Sequence, residues 1–383
     1  MRVFVVAGEA SGDRLGGALM AGLRTLVPDV TFDGIGGPLM QAQGLISRFA
    51  MDELSVMGIA EVLPKYRHLK RRIAQTAEAV LDFAPDVLIT IDSPDFSLRV
   101  AKLVKAASAI RTVHYVAPSV WAWRPGRAAK MARVIDHVLA LLPFEPPYMQ
   151  AAGMACDFVG HPVVAEPLAS DAEIAAMRVA FGLGTAPLLL VLPGSRRGEV
   201  ARLAPIFGAA LRLFLADRRG MRVLIPAPAP VAQLVRDLVA DWPGEPVVIG
   251  ADGFEAPVAE AHKRAAFRGA ALALAASGTV SLELAAARTP MLVAYRLNWL
   301  TWQIARRMVR LDTVTLVNLV SQTRAVPECL GPDCRPDLVA ARLADVQARP
   351  DAQAGAMALT MRRLGQGGEA PGLRAARAVL ARM

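Results

Sequence analysis

The chain has 383 residues, of which 54% are hydrophobic and only 5% aromatic, with 43 Lys and Arg against 34 Asp and Glu. This length suggests two domains, and the apolar content excludes an intrinsically disordered protein. Three cysteines exclude a disulfide scaffold, and no charge-free stretch reaches the ~18 residues that a membrane-spanning helix needs. The net charge of +9 indicates a polyanion or an anionic membrane surface as partner.

The first apolar run, Val3–Ala7, follows directly on Met1 and Arg2. It is too short for a signal peptide and lacks a small-residue cleavage site, so we predict a buried first strand. With no export signal and few cysteines, we expect a cytoplasmic protein.

Short apolar runs alternate with helical patterns along the whole chain. The predicted strands are Val3–Ala7, Asp86–Ile91, Thr112–Val116, His137–Leu142, Leu188–Leu192, Arg222–Ile225, Val247–Ile249, Leu272–Ala275 and Met291–Tyr295. Several are continuously apolar, as expected for strands that are covered on both faces. Apolar helical faces are predicted for Leu15, Leu19, Leu23 and Leu26, and for Val200, Leu203, Phe207, Leu211 and Phe214. This βαβ order predicts parallel sheets.

The βαβ order occurs twice, with a weak join near Gly160–Pro162. We therefore predict two doubly wound α/β domains, residues 1–165 and 166–335, followed by a helical tail over 336–383. Ligands of such sheets bind at the carboxyl ends of strands, and a domain interface is a favoured pocket. Motifs that directly follow strands are thus the candidates for the site.

The segment Gly8–Asp13 follows the first strand and precedes a helix. It matches neither the dinucleotide fingerprint nor the P-loop. Glu9 and Asp13 beside a glycine-rich turn favour hydroxyl recognition, and the alternative is a tight turn with Asp13 near a helix start.

Asp92 and Ser93 follow a second strand. An acid in this position can act as general base for a hydroxyl nucleophile. The alternative is that either residue caps a helix beginning at Pro94.

The segment Pro193–Glu199 follows the strand Leu188–Leu192. Ser195 and Arg196 in this turn suit a diphosphate, because Arg gives bidentate contacts and Ser a hydroxyl donor. The alternative is a solvated basic turn without a ligand.

Ser277, Gly278 and Thr279 follow the strand Leu272–Ala275 and open a helix. Free backbone N–H groups at a helix start attract anions. Glu283, about one turn further, could bind a sugar diol, whereas the alternative for the whole segment is an ordinary cap with an acid in the first turn.

One predicted helix has a basic amphipathic pattern. Its apolar positions are Val62, Leu63, Tyr66, Leu69 and Ile73, and its basic positions are Lys65, Arg67, Lys70, Arg71 and Arg72. This pattern is typical of a helix on an anionic lipid surface, and a helix docked on its own sheet is the alternative.

His114 is predicted to lie in the core. The three cysteines lack the paired spacing of a zinc site, so zinc binding is not predicted. The sequence also contains no nucleic-acid-binding signature.

The ordered motifs identify a family as well as a fold. They are Gly8–Asp13, Gly34–Met40, Met57–Leu63, Asp92–Phe96, His114–Trp123, Leu142–Glu145, Phe158–Pro162, Leu192–Val200 and Ala276–Glu283. The series strongly resembles bacterial lipid-A-disaccharide synthase up to about Leu330. The resemblance implies a GT-B fold, two Rossmann-like domains with a cleft between them.

The implied reaction joins UDP-2,3-diacylglucosamine to 2,3-diacylglucosamine 1-phosphate (lipid X). It gives UDP and the β-1,6-linked lipid A disaccharide 1-phosphate, with inversion and without a metal or cofactor. The family resemblance also implies peripheral association with the inner membrane and a homodimer that exchanges C-terminal segments. From the amphipathic pattern, we expect Val62, Leu63, Tyr66 and Leu69 to contact the membrane.

The resemblance assigns Asp92 as the general base. It also implies a UDP site formed by Ser195, Arg196, Ser277, Gly278, Thr279, Glu283 and Asn318. Glu283 is expected to bind the ribose. Asn318 ends the sequence Leu316-Val317-Asn318, where family members commonly have Leu-Pro-Asn. Glu9, Ser11 and Asp13 are expected near the acceptor or the donor sugar. Competing predictions are a UDP-sugar 2-epimerase or another UDP-sugar glycosyltransferase, and a non-catalytic nucleotide-binding protein at the membrane surface.

Overall fold

Two parallel sheets organise the chain, one in each of two structural units. The computed structural model describes residues 1–54, 59–122, 126–250, 254–296 and 312–383, without the side chains of 59–65 and 256. Unit 1 comprises Met1–Ala165 and Leu364–Met383, and unit 2 comprises Glu166–Arg363. The C-terminal segment from residue 336 is therefore shared between both units.

The described residues of unit 1 form a six-stranded parallel sheet. Its strands are β1 Arg2–Ala7, β2 Thr31–Ile35, β3 Val87–Ile91, β4 Arg111–Tyr115, β5 His137–Ala140 and β6 Ala155–Phe158. The helices are α1 Ala10–Leu26, α2 Pro38–Gln41, α3 Ile59–Phe83, α4 Pro94–Ala107, α5 Gly126–Met131 and α6 Pro146–Gln150. The strand order β2-β1-β3-β4-β5-β6 places β1 beside β3, with Ala7 opposite Ile91.

The described part of unit 2 repeats this arrangement. Its strands are β7 Leu188–Leu192, β8 Arg222–Pro226, β9 Val247–Ile249, β10 Leu272–Ala275, β11 Met291–Tyr295 and β12 Glu328–Leu330. Its helices are α7 Asp171–Ala180, α8 Arg197–Phe214, α9 Ala229–Val239, α10 Ala256–Gly269, α11 Val280–Ala287, α12 Leu316–Ser321, α13 Pro336–Ala348 and α14 Ala354–Arg363. The order β12-β11-β10-β7-β8-β9 is that of a doubly wound sheet.

The predicted doubly wound α/β fold is confirmed. All nine predicted strands are present with small shifts of their ends. Central strands such as β3 and β7 are completely buried, because helices cover both sheet faces. The predicted face of α8 is buried as well. Three strands were not predicted, β2, β6 and β12, and each lies at the edge of its sheet.

The last helix, α15 Pro371–Leu380, packs against α1 within unit 1. The two helices approach closely at glycines: a Cβ on Gly22 would lie 2.7 Å from the Gly372 carbonyl oxygen. Beyond the helix, Arg382 donates two hydrogen bonds to the Asp157 carboxylate, at 2.6 and 3.0 Å. The end of the chain is thus part of the unit 1 core rather than a separate tail.

Candidate functional site

The strand order of unit 2 reverses between β7 and β10, and such a switch point forms a crevice for ligands. A cavity of about 420 Å³ lies there. It is lined by Leu192 at the end of β7, Pro226 at the end of β8, Ile249 at the end of β9 and Ala276 directly after β10. Its volume lies within the range of about 300–1,000 Å³ that is usual for small-molecule sites.

The loop after β7 contributes Gly194 and Ser195 to the cavity. Gly194 has φ +123°, and a Cβ there would collide with the Glu199 side chain, so this position requires glycine. The Ser195 N–H donates to Glu199 Oε2 at 3.0 Å. Arg196 is the exposed N-cap residue of α8. Glu199, the last residue of the Pro193–Glu199 motif, also lines the cavity. The sequence alone did not predict a role for it.

The loop after β10 brings Ser277, Gly278 and Thr279 to the same cavity. Gly278 has φ +145°, and no atom of the described residues lies within 4 Å of a Cβ built there, so the described chain leaves its backbone open to a ligand. Thr279 is the N-cap of α11, yet its side chain makes no capping hydrogen bond. The sequence left open whether this segment is an anion site or an ordinary helix cap. Thr279 does not form the side-chain cap.

Glu283 lines the cavity from the first turn of α11 and forms an ion pair with Lys263 of α10, with Nζ 2.8 Å from Oε2. Burial opposes the charge on Lys263, but the neighbouring Glu283 and Glu260 carboxylates raise the pKa of its ammonium above the ordinary value. Lys263 was not predicted from the sequence.

Asn318 is completely buried on α12 and is not among the described residues that line this cavity. Its amide nitrogen donates to Thr313 Oγ1 at 3.2 Å and to the Val326 carbonyl at 2.8 Å. Its amide oxygen accepts from the Val326 N–H at 3.0 Å. The side chain thus ties two segments of unit 2 together, and its contact with UDP stays a prediction.

In unit 1, the segments after β1 and β3 meet at the corresponding switch point. Glu9 is the half-buried N-cap residue of α1, and Ser11 is exposed in its first turn. Asp13 is buried and accepts three backbone hydrogen bonds, from the N–H groups of Gly37, Leu39 and Met40 at 2.9–3.0 Å. This carboxylate holds the start of α2, and its contact with a sugar stays a prediction.

Asp92 and Ser93 have left-handed backbones, with φ +49° and +43°. Such conformations cost about 1–3 kcal/mol each for non-glycine residues and cluster at functional sites. The backbone of Asp92 is held between the Tyr115 carbonyl and the Ser97 hydroxyl, at 3.0 and 2.8 Å. Within the described chain, no hydrogen bond or ion pair occupies the half-buried Asp92 carboxylate.

Helix α4 begins at Pro94 as predicted, but Ser93 makes no capping hydrogen bond. Its hydroxyl is buried without a partner among the described residues, and a Cβ built on Gly8 would lie 2.7 Å from it. The turn after β3 therefore fits tightly against the turn after β1.

Two further titratable groups of unit 1 are buried. His114 is in the core as predicted, bonded through Nδ1 to the Thr90 hydroxyl at 2.8 Å, and burial lowers its pKa to about 4. Glu145 was not assigned a role from the sequence. Burial raises its pKa to about 7, against the opposing effect of hydrogen bonds from the Leu142 N–H and the Trp121 indole.

Helix α3 carries the predicted membrane contact. Tyr66 is 50% exposed, whereas Leu69 packs partly buried against the unit 1 core and Ile73 is buried. Val62 and Leu63 lie outside the described side chains. The helix is thus docked on its own sheet from Leu69 onward. Among the helices of the described chain, none combines the length and the apolarity needed to cross a bilayer.

Known proteins give the family of the chain. The family model of lipid-A-disaccharide synthetase matches residues 3–369. The lipid-A-disaccharide synthase of Ruegeria pomeroyi is 71% identical over 383 residues, which cover 100% of this chain and 96% of the relative. That of Rhodospirillum centenum is 45% identical over 384 residues, covering 99% and 94%.

Solved structures show the fold. UDP-GlcNAc 2-epimerase from Neisseria meningitidis, bound to UDP-GlcNAc, has a TM-score of 0.66 at 12% identity and covers 100% of this chain and 99% of its own. Acinetobacter baumannii MurG has a TM-score of 0.56 at 13% identity, with 100% and 99% covered. At such identities the likeness shows the GT-B fold alone. From the family model and the full-length relatives, the chain belongs to the lipid-A-disaccharide synthase family, glycosyltransferases of lipid A biosynthesis.

Proposed function

We propose that the chain transfers 2,3-diacylglucosamine from its UDP derivative to the 6-hydroxyl of 2,3-diacylglucosamine 1-phosphate. The products are UDP and the β-1,6-linked disaccharide 1-phosphate. The observation that carries the proposal is the cavity at the switch point of unit 2, where Ser195, Ser277–Thr279 and Glu283 come together from separate loops. The 71% identity to a full-length family member supports the same activity.

The nucleotide binds in that cavity. The space beside Gly278, the Ser277 side chain in the cavity lining and the Thr279 hydroxyl, which does not cap the helix, suit the diphosphate. Arg196, exposed at the start of α8, adds positive charge as the leaving group becomes more negative. Glu283 accepts hydrogen bonds from the ribose, and Asn318 holds the neighbouring segments in place.

The acceptor is activated in unit 1. Asp92 has a carboxylate without a partner in the described chain, on a turn whose backbone is fixed by hydrogen bonds. It takes the proton of the 6-hydroxyl while that oxygen attacks the anomeric carbon and the bond to UDP breaks. Because one displacement converts the α-linked donor into a β product, no protein nucleophile is required. Glu9 and Ser11 contact a sugar, and Asp13 acts indirectly by holding the Gly37–Met40 segment.

A turnover assay with both acylated substrates tests this proposal. We expect mass spectrometry to detect the disaccharide 1-phosphate in step with UDP release, and no product with non-acylated UDP-GlcNAc as donor. Epimerisation of UDP-GlcNAc without acceptor would favour the epimerase alternative. UDP binding without any turnover would favour the non-catalytic alternative.

Peripheral membrane association is part of the proposal. Arg67, Lys70 and Arg71 are exposed on α3 beside the exposed Tyr66, which suits an anionic lipid surface. Vesicles with anionic lipid should sediment the protein, and Tyr66→Ser should weaken this more than Tyr148→Ser, a similarly exposed tyrosine on α6. Equal sedimentation of both variants would contradict a role for α3.

We also propose a homodimer, supported by the dense packing that α15 makes on unit 1 and that an exchanged segment could make equally well. One chain has a mass of 40.7 kDa, and light scattering should give twice this mass. A mass that stays at one chain across the concentration range would contradict it.

A further inference from the structure

Four charged side chains of the described chain line the cavity of unit 2: Glu199 from α8, Glu260 and Lys263 from α10, and Glu283 from α11. The motifs after the strands explain only Glu283. Lys263 bonds directly to it, with 2.8 Å between Nζ and Oε2.

The lysine is held from two sides. Its ammonium lies 5.6 Å from the centre of the Phe267 ring, one helical turn further along α10, and Phe267 is itself buried in the cavity wall. Glu283 is fixed at the start of α11. An ion pair between groups that are both anchored loses little side-chain entropy when it forms, so it can hold the carboxylate in one orientation.

The charge balance gives this pair a function beyond joining two helices. Without the ammonium, Glu199, Glu260 and Glu283 would place three negative charges beside a site for a nucleoside diphosphate. A carboxylate without its partner would also turn away from a ligand that carries negative charge.

We infer that Lys263 is a positioning residue of the nucleotide site, which orients the Glu283 carboxylate toward the ribose hydroxyls and offsets its charge. The inference rests on the proposed function, which gives Glu283 the ribose. The ligand class is a ribonucleoside diphosphate, and the discrimination concerns its sugar hydroxyls.

Calorimetric titration of the full chain with UDP, 2′-deoxy-UDP and 3′-deoxy-UDP tests this inference. We expect wild type to bind UDP about ten- to a hundredfold more tightly than the weaker analogue, the range for one charge-assisted hydrogen bond. Lys263→Met should weaken UDP about tenfold and reduce the discrimination to within about threefold, and Lys263→Arg should retain most of it. The matched control is Arg264→Met, which removes the neighbouring cation of α10 from its pair with Glu173 and should leave the discrimination unchanged.

The outcomes separate the two levels of the argument. If wild type binds all three nucleotides equally, Glu283 does not hold the ribose, and the inference fails together with that part of the proposed function. If wild type discriminates and Lys263→Met discriminates equally well, only the role of Lys263 is wrong. Thermal unfolding of each variant shows whether it folds, and Lys263→Ala, which also removes the donor to Glu283, replaces the Met variant should that one unfold.

Discussion

Adding one methyl group at Gly8 should disturb the proposed general base without touching it. A Cβ on this residue would lie 2.7 Å from Ser93 Oγ, 3.2 Å from Ser93 Cβ and 3.3 Å from Leu54 Cβ. The first of these distances is shorter than real contacts allow, so Gly8→Ala forces the turn after β3 to shift or the Ser93 side chain to rotate.

The turn has little freedom to accommodate this shift. Ser93 is already left-handed, and its carbonyl accepts hydrogen bonds from the N–H groups of Phe96 and Ser97. Extra methyl groups in well-packed regions cost about 1–3 kcal/mol. A displacement of a reacting group by about 1 Å can cost ~10² in rate. We therefore expect kcat of Gly8→Ala to fall about ten- to a hundredfold, with UDP affinity unchanged, because the proposed UDP site consists of unit 2 residues.

The assay combines steady-state kcat, calorimetric UDP affinity and thermal unfolding. Gly355→Ala is the matched control, since no atom lies within 4 Å of a Cβ at Gly355. Adding Ser93→Ala to Gly8→Ala removes the closest contact and should restore part of the lost kcat. The reasoning is refuted if Gly8→Ala turns over like wild type, or if the double variant is no faster than Gly8→Ala.

Four further predictions concern single residues. Asp92→Asn should lower kcat by ~10²–10⁴ because the general base is lost, and near-normal turnover would remove Asp92 from the mechanism. Arg196→Ala should weaken UDP binding in calorimetry, and an unchanged Kd would contradict its diphosphate contact. Asp13→Ala leaves the buried N–H groups of Gly37 and Met40 and the partly buried N–H of Leu39 without their acceptor, and should lower the free energy of unfolding by about 3 kcal/mol in urea; a loss below about 1 kcal/mol would contradict its structural role. Glu145 has a folded-state pKa of about 7, above its ordinary value, so its ionisation destabilises the folded protein increasingly as pH rises from about 5 and fully above about 7. The neutral Glu145→Gln should therefore gain in Tm relative to wild type between about pH 5 and pH 8, and a pH-independent difference between the two would be the contrary result.

Every strand that the sequence does not predict lies at the edge of its sheet, whereas the edge strand β9 was predicted because all its residues are apolar. Buried central strands have continuous apolar sequences, as in Leu188–Leu192. The unpredicted strands Thr31–Ile35, Ala155–Phe158 and Glu328–Leu330 are edge strands that are only partly buried and contain acidic residues. An edge strand needs fewer apolar residues because one side has no neighbouring strand, so its sequence does not differ enough from a loop.

For Asp13 and Asn318, the sequence indicates polar residues in suitable positions but not the direction in which they bond. The backbone partners of Asp13 lie 24–27 residues further along the chain. The partners of Asn318 are the Thr313 hydroxyl and the Val326 backbone, which lie on either side of α12. Whether a polar group serves a ligand or the fold depends on these partners, and no pattern of residue types contains them.

Lys263 reaches the cavity from a helix, and the turns that follow the strands do not contain it. Within the basic run of α10, Lys263 pairs with Glu283, while its neighbour Arg264 pairs with Glu173. Successive helical residues point about 100° apart, so adjacent cations reach different partners. The cavity is lined by Ala259, Glu260, Lys263 and Phe267, which share one face of the helix. Motifs that follow strands do not include this face, because it belongs to the helix that precedes β10. That helix nevertheless forms one wall of the cavity at the carboxyl edge of the sheet. In a doubly wound unit, the helical phase of a crossover helix therefore decides which of its cations reaches a cavity at the carboxyl edge of the sheet.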